Sequence, residues 1–111
     1  MNRFEHLPEF ERELKRLAGK YRSLPDDLSR LEKILVLNPM GIGTNFIIIH
    51  RQENIIVVKT RLACNSLKKR SIRIIYAHNV LAATITYLEL YYKGDKDNED
   101  RERIKEYLRN L

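Results

Sequence analysis

Hydrophobic residues recur every three or four positions along two segments near the start of the chain. The first segment has its apolar positions at Leu7, Phe10, Leu14, Leu17 and Tyr21. The second has them at Leu24, Leu28, Leu31, Ile34 and Leu35. This spacing predicts two amphipathic helices, and the link between them is short enough for an antiparallel hairpin. Pro8 suits the first turn of the first helix, while Ser23 and Asp26 suit a capping box at the start of the second.

Farther along, apolar and polar residues alternate with a period of two, which is typical of β-strands. The predicted strands cover residues 46–50, 55–62, 71–78 and 84–92, and a short opening strand covers 3–6. The links between the four later strands are too short for parallel crossovers, so they should form an antiparallel meander. A last apolar stripe predicts a C-terminal helix over residues 100–111, and its members are Ile104, Tyr107, Leu108 and Leu111.

This order of elements predicts a single α+β domain over residues 1–111. An N-terminal helical hairpin should pack on a four-stranded antiparallel meander sheet, followed by a short C-terminal helix. The helices should contact the sheet through Leu14, Leu17, Leu28, Leu31 and Leu35. The sheet face beneath them should carry Ile56, Val58, Leu62, Ile72, Ile74 and Tyr76.

Three basic side chains fall on the opposite face of the same two central strands. Lys59 and Arg61 alternate with the apolar positions of one strand, and Arg73 alternates with those of the next. We therefore expect these cations to gather on one surface. Arg73 should point off the core, so that its replacement by Ala would leave the fold intact.

The distribution of charge strengthens this expectation. The chain has 21 Lys and Arg against 15 Asp and Glu, a net charge of +6, and residues outside 54–88 have no net charge. Within 54–88 there are six basic residues and no acidic one, and three of the six, Lys68, Lys69 and Arg70, lie in the loop between the central strands. This concentration favours a polyanion site, most naturally for a phosphate backbone. The alternative is a solvated strand face whose lysines protect a sheet edge.

Several other classes of function lack their sequence signals. The apolar runs are too short to span a membrane and the N-terminus has no apolar signal region, so we expect a cytoplasmic protein without a membrane partner. Cys64 is the single cysteine, which rules out an internal disulfide and fits a reducing compartment. The three histidines lack metal-ligand spacing, and no Gly-rich phosphate loop is present, so no metal or cofactor is expected.

Five segments follow one another in an order that is typical of one family. They read PEFERELKRL at 8–17, KTRL at 59–62, SIRIIY at 71–76, YLELYYKGDKDN at 87–98 and RIKEYL at 103–108. With these segments the chain resembles the RelE/ParE superfamily of toxins from bacterial type II toxin–antitoxin systems, and most closely its RelE-like branch. The resemblance implies two helices on a twisted antiparallel sheet and an antitoxin that covers the basic surface. For the RelE-like branch it also implies cleavage of mRNA in the ribosomal decoding site.

Metal-free cleavage of RNA by ribose 2′-OH attack needs a base, an acid and cations around the phosphate. Arg73 could bind the phosphate bidentately, and Lys59 and Arg61, about 7 Å apart on one strand, could bracket a nucleotide step. Crowded cations should lower the pKa of Lys59 and let it act as base or acid. Lys93 is a further candidate. Tyr91 could stack on a base or transfer a proton, although a buried strand tyrosine is an equal alternative.

The C-terminal part of the chain departs from the RelE-like pattern. Gly94, Asp95 and an acidic run up to Asp100 stand where that branch places a further Arg and a helix-borne Tyr, and the run should repel RNA. The sequence therefore leaves three functions open. They are an mRNA endonuclease (an mRNA interferase), a ParE-like toxin that acts on DNA gyrase without cutting RNA, and a silent member that binds only nucleic acid or antitoxin.

The expected partners follow from the resemblance. They are a cognate antitoxin and mRNA on the ribosome, with the chain as a homodimer or in a toxin–antitoxin hetero-oligomer. In this scheme the strand cations act in the chemical step. The loop residues Lys68, Lys69 and Arg70 dock the RNA.

Overall fold

The computed structural model describes residues 2–67 and 72–111, which form three helices and five strands. In chain order these are β1 (Arg3–His6), α1 (Pro8–Lys20), α2 (Leu24–Leu37), β2 (Phe46–Gln52), β3 (Ile55–Leu62), β4 (Ile72–Asn79), β5 (Thr84–Tyr92) and α3 (Arg101–Arg109). The predicted α+β class is confirmed. Within these described ranges, none of the helices has the length and apolar character needed to cross a membrane.

All five strands belong to one sheet, in the order β1-β5-β4-β3-β2. Strands β2 to β5 pair antiparallel with their neighbours, as the meander prediction requires. The sheet differs from that prediction by its fifth strand, because β1 pairs parallel with β5, with Arg3 opposite Thr84. The chain between β1 and β5 contains α1, α2 and three strands. The rule that short links predict antiparallel pairing therefore does not apply to β1 and β5.

The N-terminal helices cover one face of the sheet, as predicted. Helix α1 packs mainly on β5, and α2 contacts β3. The buried cluster between helices and sheet includes Phe10, Leu17, Leu31, Leu35, Val58, Leu62, Ile72, Ile74 and Tyr76. The predicted contacts Leu14, Leu28 and Ile56 are partly buried and pack against this cluster.

The opposite face of the sheet carries a second, smaller core under α3. Its buried members are Ile55, Val57, Ile75, Ala77, Leu88, Tyr91 and Ile104. Tyr107 and Leu108 of α3 pack against it, whereas Leu111, predicted to belong to the same stripe, is exposed. The Arg103 guanidinium fixes the helix by donating to both carboxylate oxygens of Glu13 at 2.9 Å. Helix α3 therefore closes one side of the surface on which the basic residues lie.

The start of α2 is built differently from the predicted capping box. Ser23 is the N-cap residue, but its hydroxyl makes no cap bond to the helix backbone. It donates instead to the buried Asp27 carboxylate at 2.7 Å and accepts from the Ser66 backbone N–H at 2.8 Å. Asp27 also accepts from the Asn65 N–H at 3.2 Å. The bonded carboxylate is thus that of Asp27, not that of the predicted Asp26. Through these hydrogen bonds the segment after β3 is tied to the start of α2.

Candidate active site

A cavity of about 360 Å³ opens beside the ends of β3, β4 and β5. Its basic lining residues are Lys59, Arg61, Arg73 and Lys93. Among its uncharged lining residues are Thr44 and Asn45, from the segment before β2, and sequence reasoning missed both. The backbone N–H of Arg61 donates to the Asn45 carbonyl at 3.2 Å and so holds this segment against β3. Four of the five residues predicted to be catalytic thus share one cavity.

Two of the lining arginines are neighbours on adjacent strands. Arg61 and Arg73 are directly opposite in the antiparallel register of β3 and β4, so their side chains share one face of the sheet. Like charges in this position destabilise a sheet. Burial and the charge of Arg61 both lower the pKa of Arg73 from its ordinary value of 12.5. A bound anion would offset this repulsion, which makes the pair a suitable phosphate clamp.

The burial of Arg73 corrects one prediction. Its side chain lies off the main core, on the predicted face, but the residue is only 6% exposed. Its Nη1 donates to the Ile72 carbonyl at 3.4 Å, and Tyr91 lies opposite it on β5. A substitution at Arg73 therefore changes packing as well as charge, so the expectation that Ala would leave the fold intact no longer follows from its position off the main core.

Lys59 is paired with an acidic residue that the sequence did not single out. Its Nζ lies 2.9 Å from Oε1 of Glu99, and the two side chains are 21% and 8% exposed. Burial lowers the pKa of Lys59, but the hydrogen bond to Glu99 and the nearby Tyr91 hydroxyl outweigh it, and the pKa of Lys59 is raised above 10.5. The predicted lowered pKa is therefore wrong. The direction of the shift favours the protonated amine at neutral pH, which argues against Lys59 as the general base.

The same ion pair holds Glu99 ionised. Burial raises the pKa of the Glu99 carboxyl, but the hydrogen bond from Lys59 and the positive charges of Lys59 and Arg101 lower it below 4.5 overall. The acidic run from 95 to 100 is thus tied to the protein body instead of simply repelling anions. Asp95 lies 3.7 Å from Arg16, and Lys96 pairs with the buried Glu89.

A β-bulge brings Tyr91 to the cavity side of the sheet. Ile75 pairs with Glu89 while Tyr76 pairs with Tyr87, so Leu88 is the extra residue. A bulge of this kind interrupts the alternation of side chains. Tyr91 consequently lies in the second core, 3% exposed, with Lys96 Nζ 5.1 Å from its ring centroid.

This burial bears on one of the predicted roles of Tyr91, stacking on an RNA base. A ring so deeply packed cannot stack on an RNA base, and the alternative of a buried strand tyrosine is the one observed. Its hydroxyl is buried without a hydrogen-bond partner of normal geometry among the described residues, although it lies near enough to Lys59 to favour the charged amine. Proton transfer by Tyr91 stays a prediction.

Of the remaining predicted residues, Lys93 is described by the structure and lines the cavity. Lys93 follows β5 directly and is exposed. Lys68, Lys69 and Arg70 fall outside the described residues, so their role in docking RNA stays a prediction. One overlooked signal was visible in the sequence, because Glu89 is a carboxylate inside the otherwise apolar strand segment Tyr87–Tyr92, and it proves to be buried and to anchor Lys96.

Neither a protein-family model nor a curated protein sequence matches the chain significantly. Among solved structures it is similar to a chain in the crystal structure of the archaeal RelE–RelB complex from Pyrococcus horikoshii OT3, with a TM-score of 0.66. The two are 18% identical, and the alignment covers 86% of this chain and 98% of the other. Similarity at this level of identity shows the fold, and the fold of this chain is RelE-like.

Proposed function

We propose that this protein is the toxin of a toxin–antitoxin pair and cleaves mRNA on the ribosome without a metal. The observation that carries the proposal is the shared cavity of Lys59, Arg61, Arg73 and Lys93. The RelE-like fold also supports the proposal. A further support is that the cations lie together on the sheet face away from α1 and α2. Two arginines at directly opposite positions of adjacent strands repel each other, and a phosphate bound by both would offset that repulsion.

The proposed chemistry is a transfer within the RNA backbone. The 2′ oxygen of one ribose attacks the adjacent phosphorus, the new O2′–P bond forms and the P–O5′ bond breaks. The products are a 2′,3′-cyclic phosphate and a 5′-hydroxyl, with the 2′-OH proton lost to solvent and one proton gained by the 5′ oxygen. Arg61 and Arg73 stabilise the negative charge that develops on the phosphorane. Protonated Lys59 adds charge and can give a proton to the leaving oxygen, since an alkoxide is more basic than an amine.

Expression of the chain alone, followed by mapping of mRNA 5′ ends, tests this function. Arg61 is the first residue to change, because it lines the cavity and is exposed, so Arg61→Gln should fold. Loss of one transition-state contact should slow cleavage by about 10²-fold or more and relieve growth arrest. Arg51→Gln, an exposed arginine on β2 outside the cavity lining, is the matched control. Equal cleavage by both variants would contradict the assignment.

A protein that binds RNA without cutting it is the second candidate. The observation that favours it is the state of two predicted proton-transfer groups, since Lys59 is ion-paired and Tyr91 is buried. In that case the chain should bind RNA in a salt-dependent manner and leave mRNA 5′ ends unchanged. Inhibition of gyrase supercoiling with intact mRNA would instead support the ParE-like alternative.

A further inference from the structure

The Lys59–Glu99 ion pair joins the cavity to the acidic segment between β5 and α3. Glu99 approaches Lys59 with Oε1, and its Oε2 lies 3.6 Å from Nε of Arg101. The next residue is fixed as well, because the Asp100 N–H donates to the buried Glu89 carboxylate at 2.7 Å and the Asp100 side chain caps α3. Glu99 is therefore held at its place by the backbone on its C-terminal side.

We propose that Glu99 is a positioning residue of this site and that it anchors the Lys59 ammonium as a fixed cation facing the bound phosphodiester. The proposal rests on the function proposed above. An ammonium group has three donors, so the bond to Glu99 and the contact with the Tyr91 hydroxyl still leave one for an anion in the cavity. Without the carboxylate, the flexible lysine stem would be free to rotate, and the neighbouring arginines would repel its charge.

The protonation of Lys59 supports the same role. Burial disfavours the charged amine, and the hydrogen bond to Glu99 is the largest effect that opposes burial. A neutral amide at position 99 would keep the burial and remove the charge that compensates for it. The pKa of Lys59 should then fall, and cleavage should be lost toward alkaline pH earlier than in the parent protein.

The matched comparison is Glu99→Gln against Glu102→Gln. Both substitutions remove one negative charge from the same part of the chain, but Glu102 is exposed and pairs with Lys105. Each is made in the parent and in a Lys59→Gln background. The readouts are the Lys59 pKa, followed by NMR of the lysine side chain, and the pH dependence of kcat and KM for cleavage of mRNA on programmed ribosomes.

We expect Glu99→Gln to lower the pKa of Lys59 and to reduce kcat roughly 10- to 100-fold, the scale of a misplaced catalytic contact, with the loss largest at high pH. In the Lys59→Gln background the same change should have little further effect, because Glu99 acts through Lys59. Glu102→Gln should change neither quantity.

Two outcomes would overturn the inference. One is an unchanged Lys59 pKa and kcat in Glu99→Gln while the parent cleaves mRNA. The other is an equal loss of kcat with and without Lys59, which would show that Glu99 acts on its own or only on the fold. If the parent does not cleave mRNA but Glu99→Gln still lowers the Lys59 pKa, the anchoring of Lys59 is supported and the proposed function fails.

Discussion

Arg73 lies between Arg61 on one neighbouring strand and Tyr91 on the other, so its flanking positions carry a like charge and a buried aromatic residue. Arg73→Lys keeps the positive charge but loses the planar fork that binds a phosphate bidentately. We expect cleavage to fall by about 10²-fold while the fold is retained. Cleavage assays and thermal unfolding of the same variant measure the two effects.

Arg51→Lys on β2 is the control for this substitution, and it should cleave like the parent. Parental activity in Arg73→Lys would show that the bidentate clamp is wrong. A large drop in thermal stability would instead point to packing as the main role of Arg73.

The Lys59–Glu99 pair should give stability a defined pH window. The pKa of Glu99 is lowered from 4.5, so its contribution is present above that pH and is lost as the pH falls through the lowered value. The pKa of Lys59 is raised from 10.5, so its contribution is present below that pH and is lost as the pH rises through the raised value. Urea unfolding of the parent and of Glu99→Gln measures the difference. The difference in the free energy of unfolding should be constant around neutral pH and shrink at both acidic and alkaline pH. A difference that persists at strongly acidic pH would contradict the pairing.

At the scale of elements, α2 offers a matched pair of leucines. Leu31 is 4% exposed against the sheet, and Leu37 at the end of the same helix is 80% exposed. Leu31→Ala should lower the free energy of unfolding by about 2–5 kcal/mol, because it leaves a cavity in the core. Leu37→Ala should stay within about 0.5 kcal/mol of the parent. Similar losses in urea unfolding would show that α2 does not pack as described.

The segment that leads into β2 contains a second matched pair, Gly41 and Gly43, with φ of 76° and 80°. An added Cβ at Gly41 would overlap the ring of Phe46, whereas the space around Gly43 is open. Both Ala variants should lose about 1–2 kcal/mol from the left-handed backbone, and Gly41→Ala should lose more because Phe46 must move. Thermal unfolding tests the order, and equal losses would mean that Phe46 yields without cost.

The same elements show what could be read from the sequence. Alternation of apolar and basic residues correctly placed Lys59, Arg61 and Arg73 on one face, because side-chain direction in a regular strand depends only on position. It could not place Tyr91, because the bulge at Leu88 arises from pairing with β4. The role of Glu99 was hidden for a similar reason, since an acidic run looks the same in sequence whether it is solvated or folded back onto a lysine.

The whole molecule presents apolar surface next to its basic cavity, and this shapes the expected antitoxin contact. Ile47 lines the cavity and is exposed, and the exposed Ile42 lies in an adjacent groove beside Arg61. A partner with acidic and apolar groups would fit both features, and its affinity should fall with added salt where the charges are exposed.

Ile47→Ser should weaken the complex about tenfold if Ile47 is a central contact. Leu81→Ser is the control, because Leu81 is exposed but lies in the β4–β5 connection. Copurification, and titration of each variant with the partner at two salt concentrations, measure the affinity of both variants. A partner whose binding is unchanged by Ile47→Ser and by salt would have to dock elsewhere, such as the outer side of α1 and α2.

The parallel pairing of β1 with β5 also sets an order for folding during synthesis. Arg3 leaves the ribosome long before its partner Thr84, and at about 5–20 residues per second the delay is roughly 4 to 16 s. Through that interval β1 has no strand to join. Lys93 and Glu99 emerge later still, so a nascent chain that already exposes the cations of β3 lacks both the last wall of the cavity and the carboxylate that holds Lys59. Translation that stops before β5 therefore releases a chain in which the site cannot assemble.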